Sequence, residues 1–125
     1  MPELIGKIIT AHEAEKEFGS VTRSYELNNA LLTDLANEAG EKIMFRFYTD
    51  FVAVLGTGRR PLYPSGFQPE EGDEFRVFSS LLITELINKG GSETCFAELR
   101  GDTSVFCIRN KDLVLEYGYP CPPFC

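Results

Sequence analysis

The apolar-rich stretch between Glu41 and Gly56, interrupted by polar residues at Thr49-Asp50, predicts two β-strands joined by a tight turn there. A two-residue turn sets Phe47 opposite Val52, Phe45 opposite Val54 and Ile43 opposite Gly56, because side chains alternate faces along each strand. Ile43, Phe45, Phe47, Val52 and Val54 then form one continuous apolar face that needs helices over it. Met44, Arg46, Tyr48, Phe51, Ala53 and Leu55 form the other face, mixed and half wet. More strands are expected along the hairpin's edges.

Around this hairpin the pattern is less uniform. Leu4, Ile5, Ile8 and Ile9 fit a short strand followed by a helix from Ala11 to Phe18, or one helix from Pro2 to Phe18. Thr10 and Glu13 have capping-box spacing and Gly19 is a fitting stop. Leu27, Leu31 and Leu35 fall on one helical stripe, widened by Ala30 and Leu32, and predict a helix from Glu26 to Ala39 ended by Gly40. Beyond the hairpin, Glu74 to Phe78 reads as a strand and Ser79 as the cap of a helix from Ser80 to Lys89. Strands are expected at Thr94–Arg100, Thr103–Arg109 and Leu113–Tyr117, with turns at Gly101-Asp102 and at Asn110-Lys111-Asp112. The tail from Gly118 to Cys125 is rich in proline and unsuited to a sheet interior. The fold class is α+β: an antiparallel sheet of five or six strands with two or three helices mainly on one face, in one domain.

An internal echo accompanies this order. Leu31, Thr33, Asp34, Leu35, Asn37 and Gly40 recur 51 positions later as Leu82, Thr84, Glu85, Leu86, Asn88 and Gly91. Two similar helix-plus-strands halves account for it; so does convergent helix-ending chemistry. The succession of elements is similar to that of small acidic secretion chaperones, a likeness of order alone.

Thr57 to Asp73 has no periodicity and is the stretch best suited to a site. Its glycines allow close backbone approach, and Arg59 and Arg60 can grip a carboxylate or phosphate in two-pronged fashion. Tyr63 and Phe67 on the same loop, with Arg46 and Tyr48 from the hairpin, complete the expected partner- or ligand-binding set. The plainer alternative pairs both arginines with Glu70, Glu71, Asp73 and Glu74. As exposed loop charges, their loss should cost within about 1 kcal/mol. No P-loop is spelled here, and the acidic run lacks the alternation of a calcium loop. The sole histidine, His12, sits among glutamates without a nucleophile motif, so no catalytic residue is assigned. Arg100-Gly101-Asp102 is turn chemistry, not an adhesion motif.

Composition narrows the partner. The net charge of −7 disfavours nucleic acid and anionic membranes, and favours a protein partner, basic in character, or a small ligand. No apolar run approaches the roughly 20 residues of a membrane span, and Met1-Pro2-Glu3-Leu4 lacks signal-peptide character, so a cytoplasmic location is expected. The pattern sets no oligomeric state. In that compartment Cys95, Cys107, Cys121 and Cys125 should be free thiols, with no zinc and no cofactor. In a polyproline II tail the Cα atoms of Cys121 and Cys125 would lie roughly 12 Å apart, beyond the about 7 Å a disulfide spans, so a bond between them would require a bend such as a cis proline. A two-residue turn at Gly101-Asp102 sets Cys95 opposite Ile108 and Cys107 opposite Phe96, hence the two thiols on opposite sides of the sheet. The functional expectation is a non-enzymatic interaction protein, such as an inhibitor, an immunity-type protein or a chaperone-like adaptor. The alternative is a small-molecule or anion-binding domain, enzymatic or not, built on Arg59, Arg60 and Tyr63.

Overall fold

The computed structural model describes residues 4–125. Its elements, in chain order, are β1 (Lys7–Thr10), α1 (Ala11–Phe18), β2 (Val21–Asn28), α2 (Asn29–Ala39), β3 (Lys42–Phe47), β4 (Val52–Gly56), β5 (Arg60–Tyr63), β6 (Phe75–Ser79), α3 (Ser80–Gly90), β7 (Thr94–Arg100), β8 (Val105–Asn110), β9 (Leu113–Glu116) and β10 (Tyr119–Cys121). The α+β class holds. The strands form two antiparallel sheets instead of one, each of five strands, in the orders β1-β9-β8-β7-β2 and β10-β6-β3-β4-β5.

The two halves of the chain build these sheets by exchange. Helix α2 displaced by 51 positions coincides with α3, and the meander β3-β4-β5 corresponds to β7-β8-β9. The strand ahead of each helix joins the other half's meander: β2 pairs with β7, and β6 with β3. Neither half can therefore complete its sheet alone.

Local chemistry sets most element ends. Glu13 N donates to Thr10 Oγ1 at 3.1 Å and Thr10 N to Glu13 Oε1 at 3.3 Å, the reciprocal pair of a capping box. Helix α2 starts later than its leucine stripe predicts. Val21, Arg23, Tyr25 and Leu27 alternate with Thr22, Ser24 and Glu26, a period-two signal that makes residues 21–28 a strand. Leu27 is buried opposite Cys95, and the Asn28 side chain accepts from Leu31 N at 2.8 Å to start the helix. Ser79 heads α3 but does not cap it with its side chain; Ser79 Oγ instead accepts from Ile5 N at 2.7 Å.

The hairpin register is the expected one, with Phe47, Phe45 and Ile43 opposite Val52, Val54 and Gly56. Its inner face enters a core shared by both sheets and both longer helices, including Phe45, Val54, Leu35, Leu86 and Ile108. Phe45 stacks on Phe106 of the other sheet with ring centroids 5.5 Å apart. The other face is drier than expected: Met44, Ala53 and Leu55 are fully buried with Phe75, Val77 and Cys121. The loop and the tail fold back over it. Part of that loop is itself the edge strand β5, where Pro61 is tolerated.

The β7–β8 pair is two residues off the expected register, because the connection runs from Gly101 to Ser104 instead of closing in two residues. Cys107 faces Glu98, and Ala97 faces Ile108. A shift by two preserves the faces, so Cys95 and Cys107 still lie on opposite sides, both buried and free. The expectation of four thiols fails at the tail. Cys121 and Cys125 form a disulfide with Cα atoms 4.9 Å apart. The chain between them bends through cis Cys121-Pro122 and Pro122-Pro123 bonds, so the extended geometry assumed for the tail does not apply.

Candidate functional site

Four of the six residues singled out from the sequence meet on the outer face of the second sheet. Arg59, at the turn before β5, donates to the main-chain oxygens of Glu70 (3.1 Å), Asp73 (3.2 Å) and Cys121 (3.2 Å). Its guanidinium also lies 5.3 Å from the Phe75 ring centre. Arg46 donates to the Glu74 carbonyl at 3.0 Å and covers the Tyr48 ring at 5.2 Å. The Tyr48 hydroxyl donates to the Asp73 carboxylate. Burial first, and that bond second, push the Tyr48 phenol up to about 12. The same bond holds the Asp73 carboxyl below its ordinary range. Phe67 packs edge-on against Tyr48 at 5.3 Å and Phe51 at 5.8 Å.

This cluster fastens the loop and the tail to the sheet. The arginines satisfy main-chain carbonyls, where carboxylate side chains were the partners expected. Arg60 and Tyr63 lie apart from it. Arg60 donates to the Glu38 carbonyl near the end of α2, where a cation complements unpaired C-terminal oxygens. The Tyr63 hydroxyl meets that of Tyr25 on β2 at 3.3 Å.

The concave surface lies elsewhere. A groove of about 490 Å³ runs between the C-terminal end of α2 and the start of α3, lined by Leu4, Ala36, Gly40, Lys42, Leu81 and Thr84 among others. A second, of about 460 Å³, shares Leu4, Ile5 and Lys42 and adds Tyr119, Pro123, Phe124 and Cys125. Leu81 is 71% exposed, Phe124 53% and Leu4 52%, so this surface presents large apolar groups to solvent. Local bonds hold its walls. Ser79 N donates to Ile5 O at 2.9 Å, Ser80 N to Glu41 O at 3.0 Å, and Lys42 Nζ to Cys125 O at 3.3 Å. The Tyr119 and Phe124 rings lie 5.3 Å apart. None of the six residues chosen from the sequence lines either groove. The usable signal was Leu81, an apolar residue beside the buried stripe of Leu82, Ile83 and Leu86, together with two aromatics in a proline-rich tail.

A third cluster lies beneath α1. Glu98, 2% exposed, binds Arg100 at 3.2 Å and Arg109 at 2.8 Å. Glu116 is fully buried nearby, with no close ion-pair partner among the described residues and only the Cys107 thiol and the Tyr117 main chain beside its carboxyl. Burial pushes its carboxyl up to about 7, with the Cys107 thiol, Arg100 and the Tyr117 main chain opposing and Glu17 adding to the rise. The Cys107 thiol, raised chiefly by burial, lies 3.9 Å from Glu98 Oε1. Neither groove is lined by these groups, so the cluster's chemistry is turned inward. Among the described residues no group of three or more His, Cys, Asp or Glu side chains is placed to hold a metal ion. No helix of the described residues is long and apolar enough to cross a membrane.

No protein-family model, curated protein or solved structure matches the chain.

Proposed function

We propose that this chain is a non-catalytic protein-interaction module, of the inhibitor, immunity-type or chaperone-adaptor kind, that holds an apolar segment of a partner in the joined grooves. The observation that carries the reading is the exposure of Leu4, Leu81, Tyr119 and Phe124 around concave surface. Exposed apolar groups gathered at a groove gain most from burial against a partner. The net charge of −7 favours a basic partner and disfavours nucleic acid. Cytoplasmic residence belongs to the same reading. The Cys121–Cys125 bond weighs against it, because reducing compartments keep thiols free.

Peptides selected from a random displayed library test the site. The reading expects apolar peptides carrying lysine or arginine, whose affinity falls at least about tenfold on Leu81→Asp and stays unchanged on Arg60→Ala. Selected peptides that ignore Leu81→Asp and are lost with Arg60→Ala would return the site to the Arg59-Arg60-Tyr63 loop.

A further inference from the structure

The C-terminal disulfide is built asymmetrically. Cys121 is fully buried against Met44, Leu55 and Phe75, whereas Cys125 is exposed at the end of the bend. A cation faces the buried sulfur: Arg59 Nη1 lies 3.4 Å from Cys121 Sγ while donating to the Cys121 carbonyl, whereas Lys42 Nζ reaches the carbonyl oxygen of Cys125 and not its sulfur. Arg59 is held there from the other side by the carbonyls of Glu70 and Asp73, so its charge stays at the sulfur whether or not the bond is intact.

Thiol–disulfide exchange needs one sulfur open to attack and the other able to leave as thiolate. Exposure makes Cys125 the sulfur that an incoming thiolate can reach. A guanidinium at hydrogen-bond distance favours the departing anion at Cys121. We infer that Cys121–Cys125 is a thiol–disulfide exchange site, at which a thiol from solution attacks Cys125 and Cys121 leaves toward Arg59.

The step balances with a thiol reductant as the one co-reactant. The attacking thiolate forms a bond to Cys125 Sγ, the Cys121–Cys125 bond breaks, and its electron pair stays on Cys121 as thiolate. A second external thiol then attacks the mixed disulfide, releasing Cys125 and forming an external disulfide. Two external thiols are oxidised and one protein disulfide is reduced. The protons they lose go to Cys125 and to solvent while Cys121 remains anionic. The inference stands apart from the partner-binding reading, though the same bend supplies Pro123, Phe124 and Cys125 to the second groove, so exchange alters a wall of it.

Reduced glutathione is the probe. The air-oxidised protein is incubated with it at pH 7, quenched with N-ethylmaleimide and mapped by peptide mass spectrometry. Glutathione is expected on Cys125 and not on Cys121. Loss of the disulfide should slow about threefold to tenfold in Arg59→Ala, with Arg59→Lys between the two. Glutathione on Cys121, equal rates in wild type and Arg59→Ala, or four free thiols in the oxidised protein would each overturn the assignment. Should Arg59→Ala fail to fold, the site of glutathione attachment on the wild-type chain decides alone.

Discussion

Glu116 offers the sharpest test of the structure, because a buried carboxyl without an ion-pair partner makes stability depend on pH in a defined direction. Its two oxygens are enclosed beneath α1, and the Cys107 thiol and the Tyr117 main chain offset only part of the cost of burying their charge. The groups around it are Arg100 on β7, Cys107 on β8, Glu17 on α1 and the neighbouring Tyr117; Lys7 of β1 is its register partner. Its carboxyl is raised from an ordinary 4.5 to about 7, first by burial. In the unfolded chain it ionises near 4.5, so between these two values the folded state binds more protons. Unfolding free energy therefore falls as pH rises through that window and levels off above about 7. The full difference corresponds to about 3 kcal/mol, of which about 2.5 kcal/mol accrues between pH 5 and pH 8. Glu116→Gln keeps the shape and removes the titration. Whatever the amide costs in itself, the variant should gain on the wild type by about 2.5 kcal/mol between pH 5 and pH 8. Denaturant unfolding of both proteins at four pH values measures the gain as a difference, which cancels groups common to the two. The lowered Asp73 carboxyl contributes stability that is lost only as pH falls below its ordinary 3.8, outside this range. A difference that stays constant within about 0.5 kcal/mol from pH 5 to pH 8 would refute the reasoning.

Other consequences are simpler to state. Phe45→Ala removes a ring that is 1% exposed and stacked between the sheets, so it should cost about 3–5 kcal/mol in chemical denaturation. Arg59→Ala should destabilise by about 1.5–3 kcal/mol, since it strands the carbonyls of Glu70, Asp73 and Cys121, while the more exposed Arg60→Ala should stay within about 1 kcal/mol. Thiol titration of denatured, unreduced protein should find two reactive cysteines, Cys95 and Cys107, and four after reduction; four at the outset would show that the tail does not close.

How much could be read in advance depended on the range of the interaction concerned. The β3–β4 register followed from a two-residue turn between two apolar runs within 16 neighbouring residues, so the sequence by itself determined it. The capping box at Thr10, the glycine stops after α1 and α2, and the span of β7 were legible for the same reason: each is settled within a few residues. Even the opposed faces of Cys95 and Cys107 survived a register error, because a shift of two keeps the parity of a strand. What lay beyond local reach came from the tertiary structure. Leu27 fits a helical stripe and a strand face equally well, and pairing with Cys95, far along the chain, decided for the strand. The exchange of β2 and β6 between the halves left two sheets where one was expected, a choice no local pattern records. Arg59 looked free to grip a ligand until the returning loop and tail set the carbonyls of Glu70, Asp73 and Cys121 around it. The grooves, too, exist only where α2, α3, the Leu4–Ile5 segment and the tail converge. Local propensity and periodicity act through neighbours in sequence, whereas strand partners, buried charge and concave surface are fixed by residues that the folded chain alone brings together.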